Sequence, residues 1–328
     1  MADRTRKARG RRGGSARLAV LLVALLLAGC GGAAGTTRGG AGDSARGAGG
    51  GPSGSGAPPC QGQTVQVAYA ASLVNLMEHR VRPAFEKATG CRFRGYPGGS
   101  KGLAQQIRSG LKRVDVFVSA SPSVNRQLMG NEGGQRLRWY AVFAEAPLLI
   151  GYSPSSRFAS ELKNRPWYEV MAEPGFRLGR TDPRIDPKGE LTIRLVEAAA
   201  RRYGRPDLVR RLLGSPENPE QIFPEEELLG RIEAGQLDAG FFYANEAKEA
   251  GLPTLSVDPA IRLKAVYSFA LMEQAPDRQA GIAFLRWLEG DGGRRALEED
   301  GLQVLRPELH GDRTAVPAEL AQLLGAGS

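Results

Sequence analysis

Small hydroxyl side chains recur in this sequence where a strand-like run gives way to a helix-like run. Ser72 follows the apolar run 64–70. Ser100 follows the glycine pair 98–99, and Ser119 ends a third apolar run. A serine at such a junction can donate its hydroxyl while the first amides of the helix, which have no intrahelical acceptor, point the same way. Two such turns side by side would form a cup of neutral donors suited to an anion, although each serine alone could be a simple helix N-cap.

A second stretch with binding chemistry is 180–190 (RTDPRIDPKGE), which contains two Asp-Pro steps. It lies between a strand-like run at 175–179 and an amphipathic run that begins at Leu191. Asp followed by Pro at the first helical position is a favoured helix start. Asp186 is therefore expected to cap a helix. The open question is whether its carboxylate also reaches a ligand.

The sequence does not support catalysis. Its two histidines, His79 and His310, are far apart, and it contains no nucleophile-elbow, zinc-protease or phosphate-loop motif. Cys60 and Cys91 lack the spacing of metal ligands. We therefore expect a protein that is not an enzyme and that has no resident cofactor.

The elements that must position these residues alternate between short strands and helical runs. Strands are predicted at 64–70, 92–96, 114–119, 147–152, 176–179, 239–243 and 262–272. Helices are predicted at 73–89, from Ser100 onward, and at 166–171, 191–203, 207–213, 224–234, 276–289 and 292–300. The helix after Ser100 should bury Leu103, Ile107 and Leu111 on one face. This alternation predicts an α/β protein with buried, mainly parallel sheets flanked by helices.

The formal charge of +9 comes mainly from the N-terminus. Residues 1–29 carry seven cationic side chains and one Asp, a net of +6, which leaves +3 for the rest of the chain. No nucleic-acid-binding motif accompanies this charge. We therefore expect no nucleic-acid partner.

The cationic start is followed by an apolar core at 18–27 and by Leu-Ala-Gly-Cys ending at Cys30. This pattern predicts a signal peptide at 1–29, too short to span a membrane. Its ending resembles a bacterial lipobox, which implies that Cys30 is lipidated. The alternative is an ordinary signal peptide with an incidental cysteine. Residues 30–61 are rich in glycine and predict a flexible tether, so the protein should be lipid-anchored at the outer face of the cytoplasmic membrane, or periplasmic.

Cys60 and Cys91 each precede a predicted strand. If those strands are parallel neighbours, both cysteines lie at the same sheet edge, and export permits a disulfide between them. Two unpaired thiols are the alternative.

Several segments, in the same order, resemble the periplasmic molybdate-binding proteins of ABC importers. They are 70–73 (AASL), 99–107 (GSKGLAQQI), 114–120 (VDVFVSA), 235–247 (GQLDAGFFYANEA) and 283–288 (AFLRWL). The resemblance spans residues 64–306. It implies a two-lobed periplasmic-binding-protein fold with the ligand cleft between the lobes. It also implies a monomer that delivers its ligand to an ABC permease and the associated ATPase.

In that family neutral hydroxyls and backbone amides hold the oxyanion. By motif, Ser72 and Ser100 would donate from the first lobe and Tyr243 from the second. The backbone around Ala146 would contribute near the crossover between the lobes. Asp186 would lie in the turn before a helix of the second lobe.

Asp186 departs from the usual bacterial pattern, which has an apolar residue before the proline. The turn resembles instead a tungstate- and molybdate-binding branch first associated with archaea, in which an Asp and a Glu approach the metal centre. The matching Glu would immediately precede Tyr243, where this chain has Phe242. The resemblance therefore implies that the second carboxylate is missing.

A carboxylate directed at a dianion is repulsive, by on the order of several kcal/mol in a dehydrated site. It is tolerable if it ligates a Mo or W atom, if it is hydrogen-bonded and directed away, or if Lys188 or Arg180 neutralises it. Sulfate cannot expand its coordination. An inward Asp186 would therefore favour molybdate or tungstate, whereas a capping Asp186 carries no such information.

The resemblance places the first lobe at 62–146 and 262–306, the second at 147–261, and a C-terminal tail at 307–328. The implied function is capture of a tetrahedral oxyanion, molybdate or tungstate, for an ABC transporter. The alternatives are a binding protein for sulfate, thiosulfate or another small anion or solute, and an oxyanion-sensing lobe for a membrane receptor.

Overall fold

The computed structural model of the protein describes residues 60 and 62–326. The predicted signal peptide, the lipidation site Cys30 and, apart from Cys60, the predicted tether lie outside the described residues. In the described part of the chain, no helix is both long enough and apolar enough to cross a membrane.

The strands of the described residues are β1 (Thr64–Ala70), β2 (Arg92–Gly98), β3 (Val116–Ser119), β4 (Trp139–Tyr152), β5 (Leu178–Gly179), β6 (Ala239–Tyr243), β7 (Thr254–Leu255), β8 (Lys264–Leu271) and β9 (Gln303–Gly311). The helices are α1 (Arg82–Thr89), α2 (Ser100–Arg108), α3 (Pro122–Arg126), α4 (Ala159–Asn164), α5 (Trp167–Val170), α6 (Pro187–Arg202), α7 (Leu208–Leu213), α8 (Glu225–Glu233), α9 (Ala244–Glu249), α10 (Arg278–Glu289), α11 (Asp291–Asp300) and α12 (Ala318–Ala321). A short 3₁₀ turn (Ala71–Leu73) and a π-helical turn (Leu76–Val81) precede α1.

The strand β4 joins two groups of strands, which we call the first and second lobes. In the first lobe the order is β2-β1-β3-β8-β4, and β9 pairs with the other edge of β4. In the second lobe the C-terminal half of β4 pairs with β6 and β7, and β5 pairs with β6. The α/β prediction is confirmed by helices that flank both groups.

The sheets are mixed, whereas the sequence predicted mainly parallel pairing. The pairs β1–β2, β1–β3 and β5–β6 are parallel. The strands β4 and β8 run in opposite directions. Every pair that includes either of them is antiparallel.

The region predicted as a C-terminal tail belongs to the fold through residue 326. The strand β9 extends past residue 306 and pairs with β4. Beyond it, Leu320 and Leu324 are buried in the main core. The pattern of β9 is weak because it is an edge strand with half-exposed side chains, and Pro307 is tolerated there since an edge strand leaves some amides unpaired.

One helix is shorter than its apolar spacing indicated. The helix α2 ends at Arg108, and Gly110 takes a left-handed conformation with φ of 79°. Leu103 and Ile107 are buried as predicted, but Leu111 lies beyond the helix and is 83% exposed.

The strands β1 and β2 are parallel neighbours in the register Thr64 to Arg92, which brings the preceding cysteines to the same sheet edge. Cys60 and Cys91 form a disulfide there, with their Cα atoms 4.8 Å apart. The bond fastens the start of the described chain to the start of β2.

We expect replacement of both Cys60 and Cys91 by Ser to lower the free energy of unfolding by about 3 kcal/mol. The bond closes a loop of 31 residues and so restricts the unfolded chain. Denaturant unfolding of the oxidised protein, the reduced protein and the double variant measures this effect. Equal midpoints for all three would show that the bond contributes no stability.

Candidate functional site

The first serine turn places a hydroxyl pair in a buried position. Ser72 lies in the 3₁₀ turn after β1 and does not cap it. Its Oγ atom is 3.0 Å from the hydroxyl of Tyr267, on β8. Two hydroxyls that share one hydrogen bond retain one further O–H proton. The pair can therefore still donate to a ligand.

The second serine turn also leaves a donor unused. Ser100 opens α2, where Gly99 is the N-cap residue, and its Oγ atom accepts a hydrogen bond of 3.1 Å from the amide of Ala120. Because Oγ accepts in this contact, its own proton remains available. Ser119, by contrast, both accepts from and donates to the backbone of Ser121 and is satisfied locally.

Tyr243 contributes a buried hydroxyl from the second lobe. It ends β6 immediately before α9, and its ring lies edge-on to that of Tyr267, with centroids 6.1 Å apart. Its hydroxyl is buried and has no hydrogen-bond partner among the described residues. Burial, and then the nearby charge of Asp186, raise the pKa of Tyr243 well above its usual value. The phenol therefore remains a donor, and leaving it without an acceptor costs about 1–3 kcal/mol.

Ala146 lies at a gap along one edge of β4. Both β8 and β9 pair with Ala144, so they occupy opposite edges of β4. On the β9 edge, pairing ends at Glu145 and resumes with β6 only at Leu148. The backbone of Ala146 lies between these points, next to the end of β6 that carries Tyr243.

Asp186 caps α6, as the sequence predicted. Its Oδ1 atom accepts a 2.6 Å hydrogen bond from the amide of Lys188. The carboxyl group of Glu225, at the start of α8, lies near that of Asp186. Burial, and then the charge of Glu225, raise the pKa of Asp186 well above its usual value. Asp186 is thus the less acidic member of this pair.

Lys188 supplies the buried positive charge. Its Nζ atom lies 2.6 Å from Glu225 and 2.8 Å from Glu246, and only 1% of its side chain is exposed. Burial alone would lower the pKa of Lys188, but the charges of Glu225 and Glu246 raise it above the usual value. Burial also opposes ionisation of Glu225, but Lys188 lowers the net pKa of that carboxyl. Glu246 in turn accepts a 2.7 Å hydrogen bond from the amide of Tyr243.

Arg180, the other candidate to neutralise Asp186, is bound elsewhere. Its guanidinium donates to the side chain of Gln221 and to the carbonyls of Pro216 and Ser215. Lys188 is therefore the cation that balances the carboxylates.

A cavity of about 220 Å³ opens beside Ser72 and is lined partly by Glu225, Phe242 and Glu246. Its carboxylates would repel an anion that cannot take them as ligands. Within the described residues, no group of three or more His, Cys, Asp or Glu side chains could hold a metal cation. Two features nearby are suited to a solute. One is the hydroxyl pair of Ser72 and Tyr267, and the other is the hydroxyl of Tyr243, whose ring packs against Tyr267.

The family model for bacterial extracellular solute-binding proteins matches residues 65–303. The chain belongs to this family. It is therefore a solute-binding protein and not an enzyme, and it acts outside the cytoplasm, as the sequence predicted.

Individual relatives agree with this assignment. The chain is 26% identical over 301 residues to a solute-binding protein of Petrotoga mobilis, with 80% of this chain and 90% of the relative covered. It is 23% identical over 265 residues to the molybdate/tungstate-binding protein WtpA of Thermococcus kodakarensis, with 66% and 74% covered. The periplasmic molybdate-binding protein of Azotobacter vinelandii has the same fold, with a TM-score of 0.56, 19% identity, and 73% of this chain and 98% of that chain covered. The prediction of a periplasmic-binding-protein fold is confirmed.

Sequence reasoning missed two groups in the site of this solute-binding protein. Tyr267 lies in a predicted strand, but nothing in the sequence distinguishes a phenol that meets Ser72 from one in the core. The second carboxylate was sought at position 242, whereas the structure brings Glu225 to Asp186 from the start of α8. The sequence predicted a helix that starts near Glu225, but it did not predict that Glu225 lies close to Asp186.

We expect Lys188→Met to lower the free energy of unfolding by about 3–5 kcal/mol at pH 8, because it leaves buried carboxylates without a counter-charge. Burial raises the pKa of Glu246 to about 8, above its value in the unfolded chain. The folded state therefore holds an extra proton between pH 4.5 and about 8, and stability falls as the pH rises through that range. At pH 5 the folded state already holds the proton on Glu246, so fewer buried charges lack a partner in the variant. The loss of stability caused by Lys188→Met should therefore be smaller at pH 5 than at pH 8.

Urea unfolding at the two pH values measures this difference. As a control, adding Glu246→Gln to Lys188→Met should recover part of the loss at pH 8, since it removes one uncompensated charge. The same deficit at both pH values would contradict the electrostatic explanation.

Proposed function

We propose that this solute-binding protein captures a tetrahedral oxyanion, molybdate or tungstate, between its lobes and delivers it to an ABC permease with its ATPase. The observation that carries the proposal is the buried hydroxyl of Tyr243, which has no acceptor among the described residues. The ring of Tyr243 packs edge-on against that of Tyr267, the hydrogen-bond partner of Ser72. A bound oxyanion would supply the missing acceptor.

The donors around this point are neutral, which suits an anion that must shed its water. Ser72 and Ser100 retain donor capacity from the first lobe, and Tyr243 does so from the second. The amides of Ser100 and Lys101 lie at the start of α2 and have no acceptor within the helix. Such donors stabilise an oxyanion without the desolvation cost of a buried cation.

Asp186 caps α6, and the carboxyl pair would favour molybdate or tungstate over sulfate only if a second carboxyl oxygen also reached the ion. Asp186 and Glu225 lie beside the hydroxyl donors, and a carboxylate repels an oxyanion that cannot accept it as a ligand. Glu225 would complete the Asp–Glu pair of the tungstate- and molybdate-binding branch that the turn at Asp186 resembles. The similarity to the molybdate/tungstate-binding protein of Thermococcus kodakarensis supports the same ions.

The N-terminal sequence supports attachment of this protein to the membrane. We propose lipidation at Cys30, followed by the glycine-rich tether, with the first lobe extending through β9 rather than ending at residue 306. The protein would then act as a monomer held near its permease.

Isothermal titration of the full chain with molybdate, tungstate and sulfate tests the proposal. We expect binding of the first two ions and weaker binding of sulfate. Tyr243→Phe should weaken molybdate binding by about tenfold to a hundredfold, the effect of losing one hydrogen bond to a charged group. The matched control is Tyr152→Phe, another buried tyrosine, on β4 of the second lobe. Absence of binding to molybdate and tungstate would refute the proposal.

We expect Asp186→Asn to weaken molybdate and tungstate binding more than sulfate binding. Asparagine retains the cap of α6 but is a poorer ligand for a Mo or W atom. Competition titrations with the three ions measure the ratio of affinities. An equal change for all three would mean that Asp186 serves only as a helix cap.

A further inference from the structure

The turn that carries Asp186 contacts the start of α2 in the first lobe. The amide of Gly102 donates a 3.0 Å hydrogen bond to the carbonyl of Ile185. The Nζ atom of Lys101 lies 2.9 Å from the carbonyl of Pro183 and 2.5 Å from the carboxylate of Glu190. These three contacts join the two lobes on the Ser100 side of the proposed ligand.

The contact with Ile185 completes the end of α2. The amide of Gly102 lies in the first turn of the helix and has no acceptor within it. No side chain caps α2, and the carbonyl of Ile185 provides the acceptor from the opposite lobe. The amide of Gly102 therefore has a protein acceptor only while the lobes are in contact.

Gly99 makes this approach possible. A Cβ atom at position 99 would lie 2.5 Å from the carbonyl oxygen of Ile185, closer than real Cβ contacts allow. The backbone of Gly99 has φ of −57° and ψ of 125°, which any residue can adopt. Glycine is therefore required here by the opposing lobe and not by its own conformation.

We propose that these contacts form a closure latch, made of Gly99, Lys101 and Gly102 against Pro183, Ile185 and Glu190. The latch holds the Asp186 turn against the Ser100 turn and sets how long a bound solute stays. It rests on the proposed function, because it acts on a solute held between the lobes. Gly99 and Lys101 are positioning residues, since they act through the turn they hold.

The distances connect the latch to the site. A Cβ atom at Gly99 would also lie 3.4 Å from Cβ of Asp186. The latch therefore fixes the separation between the Ser100 turn and the Asp186 turn, which meet at the proposed ligand. Lys101 and Glu190 are 22% and 48% exposed, so their ion pair contributes little and weakens with salt. The backbone hydrogen bond and the close approach at Gly99 carry the effect.

A latch that a bound solute tightens changes mainly the rate of release, because the solute enters molecules whose lobes are already apart. We therefore expect Gly99→Ala to raise the dissociation rate of molybdate by about tenfold or more, with an association rate near that of the wild type. Stability of the ligand-free protein should be unchanged or slightly higher, because alanine fits this backbone conformation. A merely structural role for Gly99 would instead lower stability.

The chain offers a matched control at the neighbouring glycine. The three atoms nearest to a Cβ atom at Gly98 would all belong to the side chain of Leu103, at 3.3–3.7 Å. Stopped-flow fluorescence on the full chain should give release rates for Gly98→Ala close to those of the wild type. Lys101→Met should raise the release rate modestly, and Lys101→Arg should restore it. A wild-type release rate for Gly99→Ala, or an equal rise for Gly98→Ala, would overturn the latch.

Hydrogen exchange at the amide of Gly102 separates failure of the latch from failure of the proposed function. If the wild type binds none of molybdate, tungstate and sulfate, the proposed function is wrong, but the latch still predicts protection of this amide in the wild type and Gly98→Ala and its loss in Gly99→Ala. If an ion binds, the same comparison is made in the loaded protein. Equal exchange in all three proteins would refute the latch.

Discussion

The buried ammonium of Lys188 is the interaction that organises the site. It lies on α6 and contacts Glu225 at the start of α8 and Glu246 in α9. One cation thus holds the N-terminal ends of three helices at a single point. Burial raises the pKa of both carboxyl groups, and the charge of Lys188 opposes that effect on each of them. Asp186 caps the first of these helices and Tyr243 directly precedes the third, so the same contact fixes both groups of the second lobe that face the proposed ligand.

The site is divided between two lobes that share the strand β4. The first lobe provides the hydroxyls of Ser72, Ser100 and Tyr267, and the second provides Tyr243. Each of these groups is buried, and the Tyr243 hydroxyl has no acceptor within the described part of the chain. Closure without a solute therefore buries unused donors, whereas closure around an anion satisfies them. This difference links lobe contact to ligand binding.

Much of the fold was predictable, because alternating strands and helices leave strong local patterns. The cap at Asp186 and the shared sheet edge of Cys60 and Cys91 follow from neighbours in sequence or from adjacent parallel strands. The strand β9 was not predictable, since its half-exposed side chains and Pro307 give little periodic signal. The sequence predicted a strand at 147–152 only. In the structure β4 begins at Trp139 and continues unbroken from one lobe into the other.

The sequence by itself predicted the α/β class from its local patterns, and its resemblance to a known family predicted the family and the serine, aspartate and tyrosine positions of the proposed site. Only the tertiary structure decided which of these groups retain a free donor, and that Glu225 rather than position 242 brings a carboxyl group near Asp186. It also decided that Gly99 is required by the carbonyl of Ile185. These facts depend on contacts between segments far apart in the chain, and such contacts leave no periodic pattern in either segment alone.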